Sequence, residues 1–222
     1  MKHFLDFLTI FTSKKGPSQD PESHTNQKKE VDTMSNITIF GQGNMGKAIQ
    51  SVFEAAGQTV NFIGKEADGV VGDIAVLAVP YGAVESIAAN YKEALAGKIV
   101  IDITNPVNFD NMDELVTPAG SSAAEEIAKL LPESTIVKGF NTIFAANIAS
   151  RKVGENQGAV QLASDDEEAK VRVAKMIEAG GLATVDAGSL KRSRELEAMG
   201  FLAITLAVRE QISWVGGYAL VK

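Results

Sequence analysis

Short apolar runs, several rich in β-branched residues, alternate along this chain with stretches whose apolar positions recur every three or four residues. The runs predict strands at 36–40, 58–63, 73–79, 98–103, 135–139, 158–163 and 182–186. The helical spacing predicts helices at 44–56, 83–95, 122–131, 165–179 and 190–213. Ile74-Ala75-Val76-Leu77-Ala78-Val79 is apolar without a break, as befits a strand buried on both faces of a parallel sheet. Strands alternating with helices predict an α/β fold, a Rossmann-like doubly wound parallel sheet with a small C-terminal helical extension.

One interval breaks the rhythm. Nine residues separate Ile63 from Asp73, whereas a parallel crossover normally takes about a dozen or more, with a helix. Nine extended residues still reach roughly 30 Å. Positions 65–72 are therefore expected to form a bare loop.

The last helical stretch is the longest. Ser189 is placed as its N-cap, and Leu196, Met199, Leu202, Ala203 and Leu206 repeat at helical spacing. From Ala198 to Val208 it is apolar nearly all round, so burial on more than one side is expected, by this chain or by a second copy of it.

Between the first strand and the first helix stands Gly41-Gln42-Gly43-Asn44-Met45-Gly46. A lone G-x-G-x-x-G is weak, but a strand before it and a helix after it give it meaning. Gly41 permits the tight turn, Gly43 lets the backbone approach a pyrophosphate, and Gly46 lets the helix pack close to the strand. The free N–H groups of that helix then face the phosphates. The competing reading is a structural glycine turn that binds nothing.

Composition narrows the chemistry. The net charge of −7 argues against nucleic acid or an anionic membrane as partner. There is no cysteine, which removes disulfides, thiolate catalysis and cysteine-based zinc sites. Both histidines, His3 and His24, lie in the first 33 residues. That segment has five basic and five acidic residues, so the whole −7 falls on the remainder. Residues 1–33 are read as a disordered N-terminal extension, with Met34 as a natural start. Residues 34–222 are read as one dinucleotide-binding domain ending in the long helix. No run is long enough for a membrane helix, and the cytoplasm is the expected location.

Four motifs occur in order: Gly-Gln-Gly-Asn-Met-Gly, Asp73-Ile-Ala-Val-Leu-Ala-Val-Pro80, Gly139-Phe-Asn-Thr-Ile143 and Val185-Asp-Ala-Gly-Ser-Leu190. With them the chain, from about 36 to 214, resembles the NADP oxidoreductases that use a deazaflavin, coenzyme F-420. The first two motifs are shared with the N-terminal domain of pyrroline-5-carboxylate reductase. The resemblance implies hydride passage between a nicotinamide and a deazaflavin ring beside the first helix. The chain departs from the family at 65–72, where a helix, an edge strand and a short helix are usual. It also has Asn141 in place of a usual histidine and Phe144 in place of a usual proline.

Individual residues extend this reading. Lys65 follows the second strand, 19 positions after Gly46, where a cation accommodates the 2′-phosphate of NADP. Ala78, Val79 and Pro80 close the third strand at its carboxyl end, where ligands of open α/β sheets bind. Asn105, in Thr104-Asn105-Pro106, is read either as a nicotinamide-side contact or as an Asx-turn. Asn141, Thr142 and Ile143 are read as acceptor-binding, with Asn141 also a candidate helix N-cap. Asp186 is read chiefly as a cap of the long helix.

Hydride transfer between two bound heterocycles asks little of side chains, so no catalytic side chain and no metal ligand is assigned. The expected activity is transfer between NADPH and a small flavin-, deazaflavin- or quinone-like electron acceptor, in a homodimer. The alternatives are a non-catalytic NADP-binding redox sensor and a pyrroline-5-carboxylate reductase-type imine or keto reductase.

Overall fold

The computed structural model describes residues 35–64 and 69–221. The 1–33 extension and Lys65 lie outside the described residues. Strand β1 (Asn36–Phe40) leads through the glycine turn into α1 (Asn44–Ala55), and β2 (Thr59–Ile63) follows. Next come β3 (Ile74–Leu77), a 3-10 turn (Tyr81–Ala83), α2 (Val84–Leu95) and β4 (Ile99–Asp102). Then come α3 (Ala123–Leu130), β5 (Thr135–Lys138) and the short α4 (Ala145–Ser150). A small hairpin of β6 (Lys152–Val153) and β7 (Asn156–Gln157) precedes β8 (Ala159–Ala163) and α5 (Glu167–Ala179). Last are β9 (Ala183–Gly188), a second 3-10 turn (Leu190–Arg192) and α6 (Ser193–Val208).

Seven strands form one sheet in the order β2-β1-β3-β4-β5-β8-β9. The five strands β2, β1, β3, β4 and β5 are parallel, as the buried apolar runs require. The sheet is not parallel throughout. β8 runs antiparallel to β5 and meets it at a single pair, Lys138 with Ala163, the last residue of each strand. β8 and β9 therefore extend past the carboxyl end of β5, and they pair parallel with each other.

Each face has its own core. Ile49, Val52 and Phe53 of α1, Ile148 of α4, and Val173 and Ile177 of α5 cover one face. Val84 and Ala88 of α2 and Ala124 and Ile127 of α3 cover the other. Arg151, just after α4, ties the first layer together. Its guanidinium donates to the Ser51 carbonyl at 2.8 Å and the Gly180 carbonyl at 2.7 Å. A methyl group on Gly180 would lie 2.4 Å from the Val52 carbonyl oxygen, so α5 ends hard against α1.

Between β2 and β3 the described residues, Gly64 and 69–73, contain no helix or strand. The return leg is pinned to β1. The Gly72 N–H donates to Thr38 Oγ1 at 2.9 Å, and the Asn36 N–H donates to Asp73 Oδ2 at 3.2 Å. A side chain on Gly72 would strike the Asn36 carbonyl oxygen at 2.1 Å.

The final helix is shorter than its periodicity predicts. Its first turn tightens to 3-10 geometry, and it ends at Val208 before Glu210 turns left-handed at φ 57°. Beyond Val208 the predicted stretch 209–213 is mostly polar and lies in an irregular tail.

Candidate functional site

The glycine turn explains two of its three glycines from within the fold. Gly41 has φ +103°, a region that disfavours side chains, and a methyl group there would lie 2.2 Å from the Ala78 carbonyl oxygen. A methyl group on Gly46 would lie 2.3 Å from the Gly41 carbonyl oxygen. Gly43 differs. Its φ of −73° suits any residue, and a methyl group there would meet nothing within 4 Å. The fold makes no demand for glycine at this position.

Gly43 is also the N-cap of α1, and no side chain caps that helix. The first turn carries no acidic residue. Gln42, Gly43 and Asn44 are exposed, while Met45 is half-buried against the core. Uncapped N–H groups, open space and the positive end of the helix dipole together fit a pyrophosphate. Gly41 is held beside β2 and β3: its N–H donates to the Ile63 carbonyl at 3.2 Å, and the Ala78 N–H donates to the Phe40 carbonyl at 2.9 Å. This places Ala78, Val79 and Pro80 next to the turn. Ala78 and Val79 are half-buried and Pro80 is exposed.

Asn105 and Asn141 come together. Asn141 Nδ2 donates to Asn105 Oδ1 at 2.9 Å, and Asn105 Nδ2 donates to the Asn141 carbonyl at 2.8 Å. Asn141 Nδ2 also donates to the Leu196 carbonyl of α6 at 2.9 Å. Gly200 makes this approach of α6 feasible, since a methyl group on it would lie 2.4 Å from Asn105 Oδ1. Asn141 does not cap α4: Phe140 turns left-handed at φ 61°, and the helix starts only at Ala145, after Phe144 as its N-cap. Thr142 donates to Gln161 Oε1, and Ile143 is packed into the core. Phe144 stacks at a tilt on Trp214, with ring centroids 5.1 Å apart.

Asp186 does not cap α6. It faces Lys170, 2.7 Å away, and accepts the Gly188 N–H. The Leu190 N–H instead donates to Asp165 at 3.0 Å, and Ser189 makes no side-chain cap. Buried Lys170 competes better for the carboxylate than free N–H groups do. Arg194 forms a paired contact with Glu125, which holds that carboxyl below its usual range.

The periodicity gives no hint of a buried charge cluster beneath the two asparagines. Lys138 is fully buried, 2.8 Å from Asp102 and 2.8 Å from Glu197, which are also buried. Lys138 Nζ donates to the Thr104 carbonyl at 2.6 Å, and Asp102 Oδ1 accepts the Thr104 N–H at 2.8 Å. Glu197 accepts the Ala123 and Ala124 N–H groups at the start of α3. Burial raises the Glu197 carboxyl above its usual range, against the pull of Lys138. Burial, with Glu126, Glu197 and Asp102, likewise raises the Tyr81 phenol. The available signal was a charged residue closing each of two apolar strands; their pairing needs the β4–β5 register, Asp102 opposite Lys138.

Known proteins resemble this chain in sequence and in fold. The family described as "NADP oxidoreductase coenzyme F420-dependent" matches at residues 64–106, the segment holding Ala78, Val79, Pro80 and Asn105. The chain is similar to the coenzyme F420-dependent NADP oxidoreductases. The F420-dependent NADP reductase of Methanocaldococcus jannaschii is 27% identical over 77% of this chain and 78% of its own length. Rat metalloreductase STEAP3 is 37% identical over 57% of this chain, which covers only 24% of that protein. A crystal structure from Arthrobacter sp. FB24, named as a candidate F420-dependent NADP-reductase, superposes with TM-score 0.74. It covers 85% of this chain and all of that one at 20% identity, and so attests the fold.

Proposed function

We propose that this chain is an NADP-dependent oxidoreductase that passes a hydride between NADPH and a small flavin-, deazaflavin- or quinone-like acceptor. The observation that carries the proposal is Gly43, a glycine at a helix N-terminus that the fold does not require. Its missing side chain has a use when a pyrophosphate backbone comes close. The names of the relatives, NADP reductase and metalloreductase, support the same class.

In this reading the N–H groups of the first α1 turn hold the pyrophosphate, and Lys65 meets the 2′-phosphate. Ala78, Val79 and Pro80 line the ribose and nicotinamide, and Asn105 holds the nicotinamide end. The dinucleotide supplies the hydride when bound. Asn141, Thr142 and Ile143 would meet the acceptor. Thr142 and Ile143 are occupied by Gln161 and the core, so they would act through backbone and shape rather than free side chains. The relatives' names give two redox partners, F420 and a metal. That is consistent with a shared nucleotide half and an acceptor chosen elsewhere.

The proposal includes a homodimer along α6, whose Leu202 and Val208 are exposed, and a cytoplasmic location. Among the described residues no helix is long and apolar enough to cross a membrane.

The test is calorimetric titration with NADPH and NADH, followed by a screen of flavin, deazaflavin and quinone acceptors. NADPH should bind at least about tenfold more tightly, a difference of about 1.4 kcal/mol. Binding of neither nucleotide would overturn the proposal. Lys65→Glu should weaken NADPH far more than NADH, and equal losses would remove the 2′-phosphate role.

A further inference from the structure

We propose that Lys138, Asp102 and Glu197 are positioning residues that set the Asn105 amide for the nicotinamide end of the dinucleotide. This inference rests on the NADP reading above and adds residues to it.

Both peptide groups of Thr104, the residue before Asn105, are held by the cluster. Asp102 takes its N–H at 2.8 Å and Lys138 takes its carbonyl at 2.6 Å. Glu197 holds Lys138 from the opposite side, and the N–H groups of Ala123 and Ala124 anchor Glu197 in turn. The turn is thus fixed from β4, β5, α3 and α6 at once.

The same helix closes on Asn105 directly. Gly200 stands one turn after Glu197 on α6, and it leaves room only for the asparagine pair. An amide has two N–H groups and two lone pairs on its oxygen. Asn105 uses one of each on Asn141. One donor and one acceptor remain on a half-buried side chain. A nicotinamide carboxamide offers the complementary donor and acceptor. Thr104 Oγ1, buried beside it, has no partner among the described residues. The turn therefore carries more polar capacity than the fold consumes.

Stability alone does not call for such a cluster. Apolar residues of similar volume often hold a core as well as a buried ion pair does, whereas directional bonds to a fixed carbonyl and N–H define position. The cluster holds the backbone of Thr104 rather than merely filling space.

The experiment compares NADPH with 2′,5′-ADP, which lacks the nicotinamide half, by calorimetry on the whole chain. The variants are Lys138→Met, Asp102→Asn and Asn105→Ala, with the doubles Lys138→Met/Asn105→Ala and Asp102→Asn/Asn105→Ala. Asp102→Asn keeps a single acceptor oxygen and so can hold Lys138 or the Thr104 N–H, not both. It decides the matter if Lys138→Met does not fold. Each single variant should weaken NADPH by about tenfold while leaving 2′,5′-ADP within about twofold, and each double should add little to Asn105→Ala. Fluorescence of bound NADPH should shift toward that of the free nucleotide in the same variants. Equal losses for both ligands, or losses that multiply in the doubles, would overturn the positioning role. Wild-type protein that binds neither ligand would remove the NADP reading and this inference together. Wild-type binding with unselective variants removes this inference alone.

Discussion

Gly46 and Gly41 touch across the first turn so closely that a methyl group on Gly46 would sit 2.3 Å from the Gly41 carbonyl oxygen. Helix α1 can stand this close to the end of β1 only because Gly46 carries no side chain at this contact. Gly46→Ala should therefore destabilise the protein by about 1–3 kcal/mol, as overpacking does. Gly43→Val has open space and ordinary backbone. It should cost only what a poorer N-cap costs, about 1 kcal/mol, while abolishing NADPH binding. Paired melts and titrations separate the two. Unchanged NADPH affinity in Gly43→Val would refute the pyrophosphate assignment.

Glu197 offers a second contrast. Glu197→Ala leaves Lys138 with one carboxylate and leaves two α3 N–H groups without their acceptor. Lys138 keeps Asp102, so the cost falls on the two buried N–H groups, about 1–3 kcal/mol for each one left unsatisfied. Glu197→Gln keeps the shape and one acceptor oxygen, so it should cost less. Urea unfolding measures both, and equal losses would show that the shape and one acceptor oxygen do not suffice without the carboxylate.

Lys170 and Asp186 predict the pH dependence on the far side of the sheet. Lys170 and the Gly188 N–H hold the Asp186 carboxyl below its usual range. A depressed carboxyl stabilises the fold above its unfolded value, and that contribution is lost as pH falls through the folded value. Burial works against the Lys170 charge, but Asp186 and Glu167 raise it overall. Its contribution is present at neutral pH and is lost as pH rises through the raised folded value. Asp186→Asn should thus flatten the acid limb of a melting-temperature profile. An acid limb as steep as wild type would remove Asp186 from the account.

The chain has one tryptophan, and it reports on one place. Trp214 lies against Phe144, 5.1 Å between ring centroids, and is half exposed. Phe144→Ala should move its emission to longer wavelength as the ring loses its apolar neighbour. An aromatic acceptor bound beside 141–144 should quench it, and quenching should weaken in the same variant. Emission indifferent to Phe144→Ala would mean that the two rings do not pack in solution.

Much of the fold was legible because burial writes itself as periodicity. The strand beginning at Asn36 and the helix beginning at Asn44 stand where the pattern puts them. Direction is different: an apolar run reads the same either way, so nothing in Ala159–Ala163 announces that it opposes β5. Site residues divide similarly. Gly41 and Gly46 follow from local geometry. Lys138 and Asp102 sit 36 positions apart, and only strand register makes them partners. The Asp186 cap failed because Lys170, on another helix, outbids the local N–H groups for the carboxylate. Lys65, proposed to set nucleotide preference, falls outside the described residues.

Arg151 gives the molecule a timetable. The guanidinium that grips the Ser51 carbonyl belongs to a residue 100 positions downstream, and its bond to Gly180 waits for 29 more. A nascent chain completes α1 long before either partner is synthesised. The nucleotide half therefore reaches its final form only when the other half is made. Cut loose after β5, it would present the Val52 backbone and the apolar back of α1 to solvent. The half that carries the glycine turn is consequently not a portable cassette.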